Sequence, residues 1–384
     1  MFRLICALLV IIGSPAAANE AERFREDAKS IEKLINDNYA YPERLPTGQL
    51  PLSPKLRAEA EQVSDKRSLL RYAERVLFTL ADHHAITGAS FPDSWAVVPS
   101  YSDLWIEKRG PRYVVDAVRP GSPSEQAGVR GGDVLVAVGG TPANEAVSNF
   151  WRDLGLEATA ERAAFAARVL AAGRRDQERV LTFARGNGPA MQRVLGNLYR
   201  RAPPRSPVTV IAHRGDLVIK INDALGDSAT IAAFDRAMAR VKPRQGVILD
   251  LTDTPSGGNT VVARSIMGWF VNKPTAYQVH RLPAEERQSG IPRQWIEQVL
   301  PRPGKHHTGP VVVRVGRWTG SMGEGLAIGF DAIGAKVVGD RMAGLLGAIY
   351  DYTLPASGLV LKIPTERLTS VSGIPRENFV PRKH

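Results

Sequence analysis

A run of β-branched residues, VVVRV from Val311 to Val315, leads through GRWTG straight into SMGEGLAIGF, an apolar Gly/Ala-rich segment that starts at Ser321. A buried strand followed this closely by an apolar helix is the repeating unit of a layered α/β domain, because a parallel strand needs a crossover to bring the chain back. The alternation recurs in VTVIAH, LVIKIN, TIAAFDRAMARV, GVILDL, TVVARSIMGWF and AKVVGD. It predicts an α/β domain with largely parallel strands over 206–384. Ser321 itself has two readings. Ser321-Met322-Gly323-Glu324 fits the S-x-x-E capping box. The same position also puts a hydroxyl at the positive end of a helix, where an activated nucleophile could sit.

Upstream of this domain the chain changes character twice. Residues 1–18 carry a basic Arg3, a short apolar run from Leu4 to Ile12 and the small residues Ala16, Ala17 and Ala18. That is the make-up of a secretory signal with cleavage after Ala18, and the run is too short to span a bilayer. The single cysteine, Cys6, falls inside it. The mature chain is therefore expected to be periplasmic or secreted, without disulfide, cysteine nucleophile or Cys-based metal site. Over 19–95 the spacing of Phe24, Ile31, Leu34 and Ile35, and of Leu69, Leu70, Ala73, Val76, Leu77 and Leu80, predicts a helical region. From 96 to 200, short strands are punctuated by Arg-Gly-Pro, Pro-Gly-Ser-Pro and Gly-Gly-Asp turns, with one long helix expected over Glu145–Ala172 and ERVLTFARG as a closing strand. A Pro-rich linker, Arg200 to Pro207, follows. The net charge of +11 comes from 50 basic and 39 acidic residues without a long basic block, and no nucleic-acid-binding motif is present, so no nucleic-acid partner is expected.

Two further segments bear on Ser321. GVILDLTDTPSGGNT sets an apolar strand directly before Gly257 and Gly258, whose backbone amides can enter a cleft with no side chain in the way. With the Met322 amide they could hold the oxyanion of a tetrahedral intermediate. A serine also needs a base. Of the seven histidines, His83 and His84 are expected at a helix end in ADHHA, where at most one can face a shared cleft. His306 and His307 sit in a loop expected to be solvated, and they lack partners at metal-ligand spacing. Asp82, two places from His84, is badly placed to reach the far ring nitrogen.

The stretch V-x-P-G-S-P-S-x-x-A-G-V-R-x-G-D-V-L-V-A-V-G-G closely resembles a PDZ domain. That resemblance implies capture of a peptide C-terminus by strand addition. The order of this module, D-L-T-D-T-P-S-G-G-N, the serine that opens a helix and VVGDRMAG resembles the S41 family of C-terminal processing proteases over nearly the whole mature chain. The family implies a crotonase-like (ClpP/crotonase) α/β core and endopeptidase activity on exported polypeptides, with no cofactor. One branch uses a Ser/Lys dyad, but Leu345 and Leu346 stand where its lysine would fall. The other branch resembles the tricorn core protease, with Ser, His and Glu. Its pattern carries over to Ser321, to His84 in DHHA in place of D-G-H-T, and to Glu377 in GIPRENF, with Glu366 as an alternative carboxylate. The departures at DHHA and DLTDT also leave room for an inactive binding or scaffold protein on the same fold. Homo-oligomerisation stays open.

Overall fold

The computed structural model describes residues 15–199 and 205–382. Most of the expected signal segment, and residues 200–204 of the Pro-rich linker, therefore lie outside the described residues. The N-terminal region folds as α1 (Pro15–Asn38), α2 (Pro54–Glu61) and α3 (Lys66–Phe78). Asp65 starts α3 by accepting the Ser68 amide at 2.7 Å, and the helix buries Leu69, Leu70, Ala73, Val76 and Leu77 on one face. The expected helix end at His83 and His84 is corrected. α3 stops at Phe78, and Ala81 takes a left-handed φ of 48° that turns the chain out of the helix. His84 then lies in a turn, its amide held by Asp82 Oδ1 at 2.9 Å, just before the short strand β1 (Ile86–Thr87).

The middle module is an antiparallel sheet built from β2 (Leu104–Arg109), β3 (Arg112–Val118), β4 (Val134–Val138), β5 (Thr141–Pro142), β6 (Arg179–Ala184) and β7 (Met191–Leu195). Its order is β2-β3-β4-β6-β7, with β5 on β4 and β2 at an edge. A short α4 (Pro123–Gln126) is capped by Ser122. The single long helix expected over Glu145–Ala172 is instead two, α5 (Ala143–Asp153) and α6 (Ala160–Ala172). The break is pinned from outside: Ser53 Oγ, at the start of α2, donates to Leu154 O at 2.6 Å, while Thr159 caps α6.

The C-terminal domain contains β8 (Val208–His213), β9 (Asp216–Ile221), α7 (Ala229–Met238), β10 (Val247–Asp250), α8 (Thr260–Met267), β11 (Thr275–Arg281) and α9 (Pro283–Ser289). It continues with β12 (Gln294–Val299), β13 (Val311–Val315), α10 (Met322–Ala332), β14 (Lys336–Gly339), β15 (Ala348–Thr353) and β16 (Val360–Thr369). One sheet runs β14-β13-β10-β9-β8; all its pairings are parallel except β8 on β9. Leu217, Ile219, Val247, Leu249, Val313 and Val337 from these strands pack with Leu326 and Phe330 of α10, which is buried almost throughout. A second, antiparallel sheet, β1-β16-β11-β12 with β15 on β16, forms a wall beside it. Because β1 follows His84 directly and pairs with β16, the N-terminal region is stitched into the domain that carries Ser321.

Candidate active site

The strand-to-helix junction at Ser321 is strained. Ser321 has φ 49° and ψ −111°, a region that costs a residue with a Cβ about 1–3 kcal/mol. The loop around it is fixed from below: Thr319 Oγ1 donates to Leu251 O at 2.7 Å, and Gly320 N to Thr254 O at 3.2 Å. Ser321 and Glu324 stand in the expected capping-box arrangement, and the resolved hydrogen bond is the one Glu324 makes. Glu324 accepts the Ser321 amide at 2.8 Å, while the Ser321 hydroxyl makes no cap bond.

That hydroxyl lies 3.1 Å from His84 Nε2. The other ring nitrogen, Nδ1, donates to the carbonyl of Leu346 at 2.7 Å, which fixes the tautomer and leaves the Nε2 lone pair facing Ser321. Burial, followed by the nearby Arg376 charge, lowers the His84 pKa to about 4, against the opposing pull of the Leu346 and Gly347 carbonyls. The ring is thus neutral at ordinary pH. His83 faces away, stacked on Phe165 with ring centroids 4.4 Å apart. Asp82 reaches the His84 amide and the Tyr39 hydroxyl, not the imidazole.

The glycine loop meets Ser321 closely. A Cβ on Gly257 would sit 2.5 Å from Ser321 Cβ and 3.0 Å from its Oγ, and Gly257 has φ 67°. A Cβ on Gly258 would fall 2.1 Å from the carbonyl carbon of Leu225. The Gly257 N–H points at Thr254 O across 3.4 Å, whereas Gly258 and Met322 both line the cleft in front of Ser321, about 440 Å³ in volume.

The structure does not bond Glu377 to His84. Glu377 Oε2 has no hydrogen-bond partner among the described residues, and burial, followed by the Glu377 carboxylate, raises the pKa of the Tyr41 hydroxyl. Glu366 is engaged elsewhere. It accepts from His280 Nδ1 at 2.8 Å and from the Tyr350 hydroxyl, and His280 Nε2 meets Glu297 at 3.1 Å. Burial alone would lower the His280 pKa, but the two carboxylates outweigh it and raise it to about 9. His280, Glu297 and Trp295 share the cleft with Ser321 and were not found from the sequence. His280 lies on β11, Trp295 and Glu297 on β12, and the Glu366 that joins them on β16, so no local spacing announces the cluster. His307 also departs from expectation, since it packs edge-on against Phe270 with a buried Nε2 rather than lying in solvent.

The middle module docks behind the Ser321 loop. Trp318 Nε1 donates to Ser102 O at 2.8 Å, Arg317 Nε to Asp116 at 2.8 Å, and Arg119 Nε to Asp253 at 2.9 Å. At the free edge of β2, α6 packs alongside, and Arg168 Nε donates to Ile106 O at 2.9 Å.

Residues 217–378 match the family model of peptidase family S41, and residues 114–148 match that of the PDZ domain. No curated protein sequence matches the chain. Among solved structures, the photosystem II D1 C-terminal processing protease shares 17% identity over 95% of this chain and 93% of that one, with a TM-score of 0.53. Mature CPAF shares 14% identity over 95% and 93% of the two chains, with a TM-score of 0.57. Its complex with lactacystin gives 14%, 95% and 94%, and a TM-score of 0.56. At these identities the likeness is one of fold: a crotonase-like α/β core with a PDZ domain and N-terminal helices.

Proposed function

The chain belongs to peptidase family S41 and carries a PDZ domain, and on that premise we propose that it is an exported serine endopeptidase acting through an acyl-enzyme on Ser321. The observation that carries this reading is the 3.1 Å contact of His84 Nε2 with Ser321 Oγ, made between residues 237 positions apart. With Nδ1–H committed to Leu346, Nε2 takes the hydroxyl proton as Oγ attacks the scissile carbonyl carbon. The developing oxyanion faces the Met322 and Gly258 amides, with Gly257 shaping the approach. One such donor is worth about 10²–10³ in rate. His84 then passes its proton to the departing amine. It next activates a water that releases the acyl group and restores Ser321.

The orienting bond that a carboxylate makes in a Ser-His-Asp triad is supplied here by the Leu346 carbonyl. Glu377, a half-buried side chain, makes no direct bond to the imidazole and takes no part in the proton transfer. Incubating the full chain with an unfolded protein and with a fluorophosphonate tests the reading. Cleavage together with a covalent adduct on Ser321 supports it. Neither, at neutral pH, would favour a non-catalytic peptide-binding scaffold on the same fold.

Two parts of the proposal have their own tests. Export rests on Arg3, the apolar run Leu4–Ile12 and Ala16–Ala18; mass spectrometry of protein recovered outside the cytoplasm should give an N-terminus at Asn19. Capture of substrate C-termini by the PDZ domain needs the free edge of β2, which α6 and Arg168 cover. C-terminal peptides should therefore bind the wild type weakly, and Arg168→Ala should raise their affinity by about 10-fold, equal to ~1.4 kcal/mol. Equal affinities in a titration would mean that the peptide docks elsewhere.

A further inference from the structure

Glu324 stands in the first turn of α10 at 0% exposure, an expensive place for a carboxylate. Three backbone N–H groups converge on it: Ser321 at 2.8 Å, Gly344 at 2.8 Å and Leu345 at 3.2 Å. The first belongs to the nucleophile. The other two belong to the loop whose next carbonyl, Leu346, holds His84 Nδ1 at 2.7 Å. Arg376 grips the same loop from another side, donating to Leu345 O at 3.0 Å and Gly347 O at 2.6 Å. A glutamate that only capped its helix would need the Ser321 amide alone. The contacts to the distant loop are what a cap lacks.

We propose that Glu324 is a positioning residue for the reaction at Ser321, its carboxylate clamping the nucleophile's amide to the loop that supports His84 and so setting the spacing between hydroxyl and imidazole. The role rests on the serine–histidine reading above. It explains how Ser321 is kept at a strained φ of 49° while its hydroxyl is free of the helix. It also explains how a histidine without a bonded carboxylate is held to one orientation: the Leu346 carbonyl is itself anchored through its neighbours.

The clamp is sensitive to protonation. Burial raises the Glu324 pKa to about 7, opposed by Arg376, the charged side chain facing it, and by the three amides. His84, on the other side of the Leu346 loop, stays neutral down to about 4. Near neutrality, then, the group that changes charge here is the glutamate. A protonated carboxyl carries a donor where an acceptor is needed, so one of the three amides loses its partner. Activity should fall as pH drops from 8 to 6, mostly in kcat, well above the acid limb of the histidine.

Glu324→Gln tests the clamp in the full chain with a fluorogenic peptide. It should lower kcat by about 10–100-fold, leave KM within about 2-fold, and abolish the fall between pH 8 and 6. A folded variant with wild-type kcat overturns the proposal. So does a lowered kcat with the neutral limb intact, which would assign the effect to packing. If the variant does not fold, the wild type decides through the rate at which a fluorophosphonate labels Ser321. A fall centred near pH 7, with the His84 ring neutral by NMR, supports the clamp, and a flat rate from pH 8 to 6 overturns it. Full hydrolysis by Ser321→Ala would instead remove the nucleophile, a result distinct from either Glu324 outcome, and the clamp would fall with it.

Discussion

Ser321→Ala should reduce peptide-bond hydrolysis by about 10⁴-fold or more while leaving the thermal midpoint almost unchanged. The two halves of this expectation have separate causes. The hydroxyl's hydrogen bond is to His84, so removing it leaves the base with nothing to deprotonate. The helix start does not depend on that oxygen, because Glu324 keeps the backbone amide of residue 321 and the hydroxyl makes no cap bond. An alanine at φ 49° bears the same backbone strain as the serine. Residual turnover would come from the oxyanion amides acting on a bound water. Side-by-side assays of a fluorogenic substrate and of thermal unfolding decide the matter. A variant that keeps more than about a tenth of wild-type kcat would move the chemistry to another nucleophile.

Ser321 and the glycine pair were legible because each depends on backbone geometry written into a short stretch, strand to helix and strand to glycine loop. His84 was singled out only by the resemblance of DHHA to D-G-H-T, its expected helix end being a turn instead. The structure brings these stretches to one cleft. What escaped the sequence depends on contacts between distant elements. His280, Glu297 and Glu366 come from three paired strands, and Glu366 is 86 positions from the histidine it binds. Glu366 could thus be weighed against Glu377 as a partner for His84, and neither is bonded to it. The Leu346 carbonyl, which is, has no side-chain signature at all. Leu345 and Leu346 looked uninformative except as the absence of a lysine, yet their backbone supports the imidazole from one side and Glu324 from the other. The split of the long helix into α5 and α6 has a similar origin, since the residue that pins it, Ser53, belongs to another region. Arg168 lies in an alanine-rich helix that reads as an ordinary amphipathic segment, and its bond to the β2 edge becomes visible only when α6 lies against that strand.

Gly257→Ala should cost nearly as much activity as the loss of a catalytic group, although the new atom is only a methyl. An added Cβ would fall 2.5 Å from Ser321 Cβ, 3.0 Å from Oγ and 3.1 Å from the Met322 nitrogen, and φ at this position is 67°. Backbone and nucleophile cannot both stay where they are. Relief can come only by moving the glycine loop away or by turning Ser321 off His84. The first spoils the oxyanion amides, and the second breaks the 3.1 Å hydroxyl–imidazole contact. A displacement of about 1 Å in a reacting group is enough to lose about 10² in rate, and a lost oxyanion donor costs about 10²–10³. We therefore expect kcat/KM to drop by about 10³-fold. The stability loss should be about 1–2 kcal/mol, since the loop faces a cleft into which it can shift, and left-handed strain of this kind is modest. Fluorophosphonate labelling separates the two routes of relief. Slow labelling with normal unfolding shows that the nucleophile has been turned away. Fast labelling with poor peptide turnover puts the damage in the oxyanion amides. Wild-type turnover by Gly257→Ala would mean that the glycine loop does not approach Ser321 as closely as described, and the assignment of its amides to the oxyanion would fail with it.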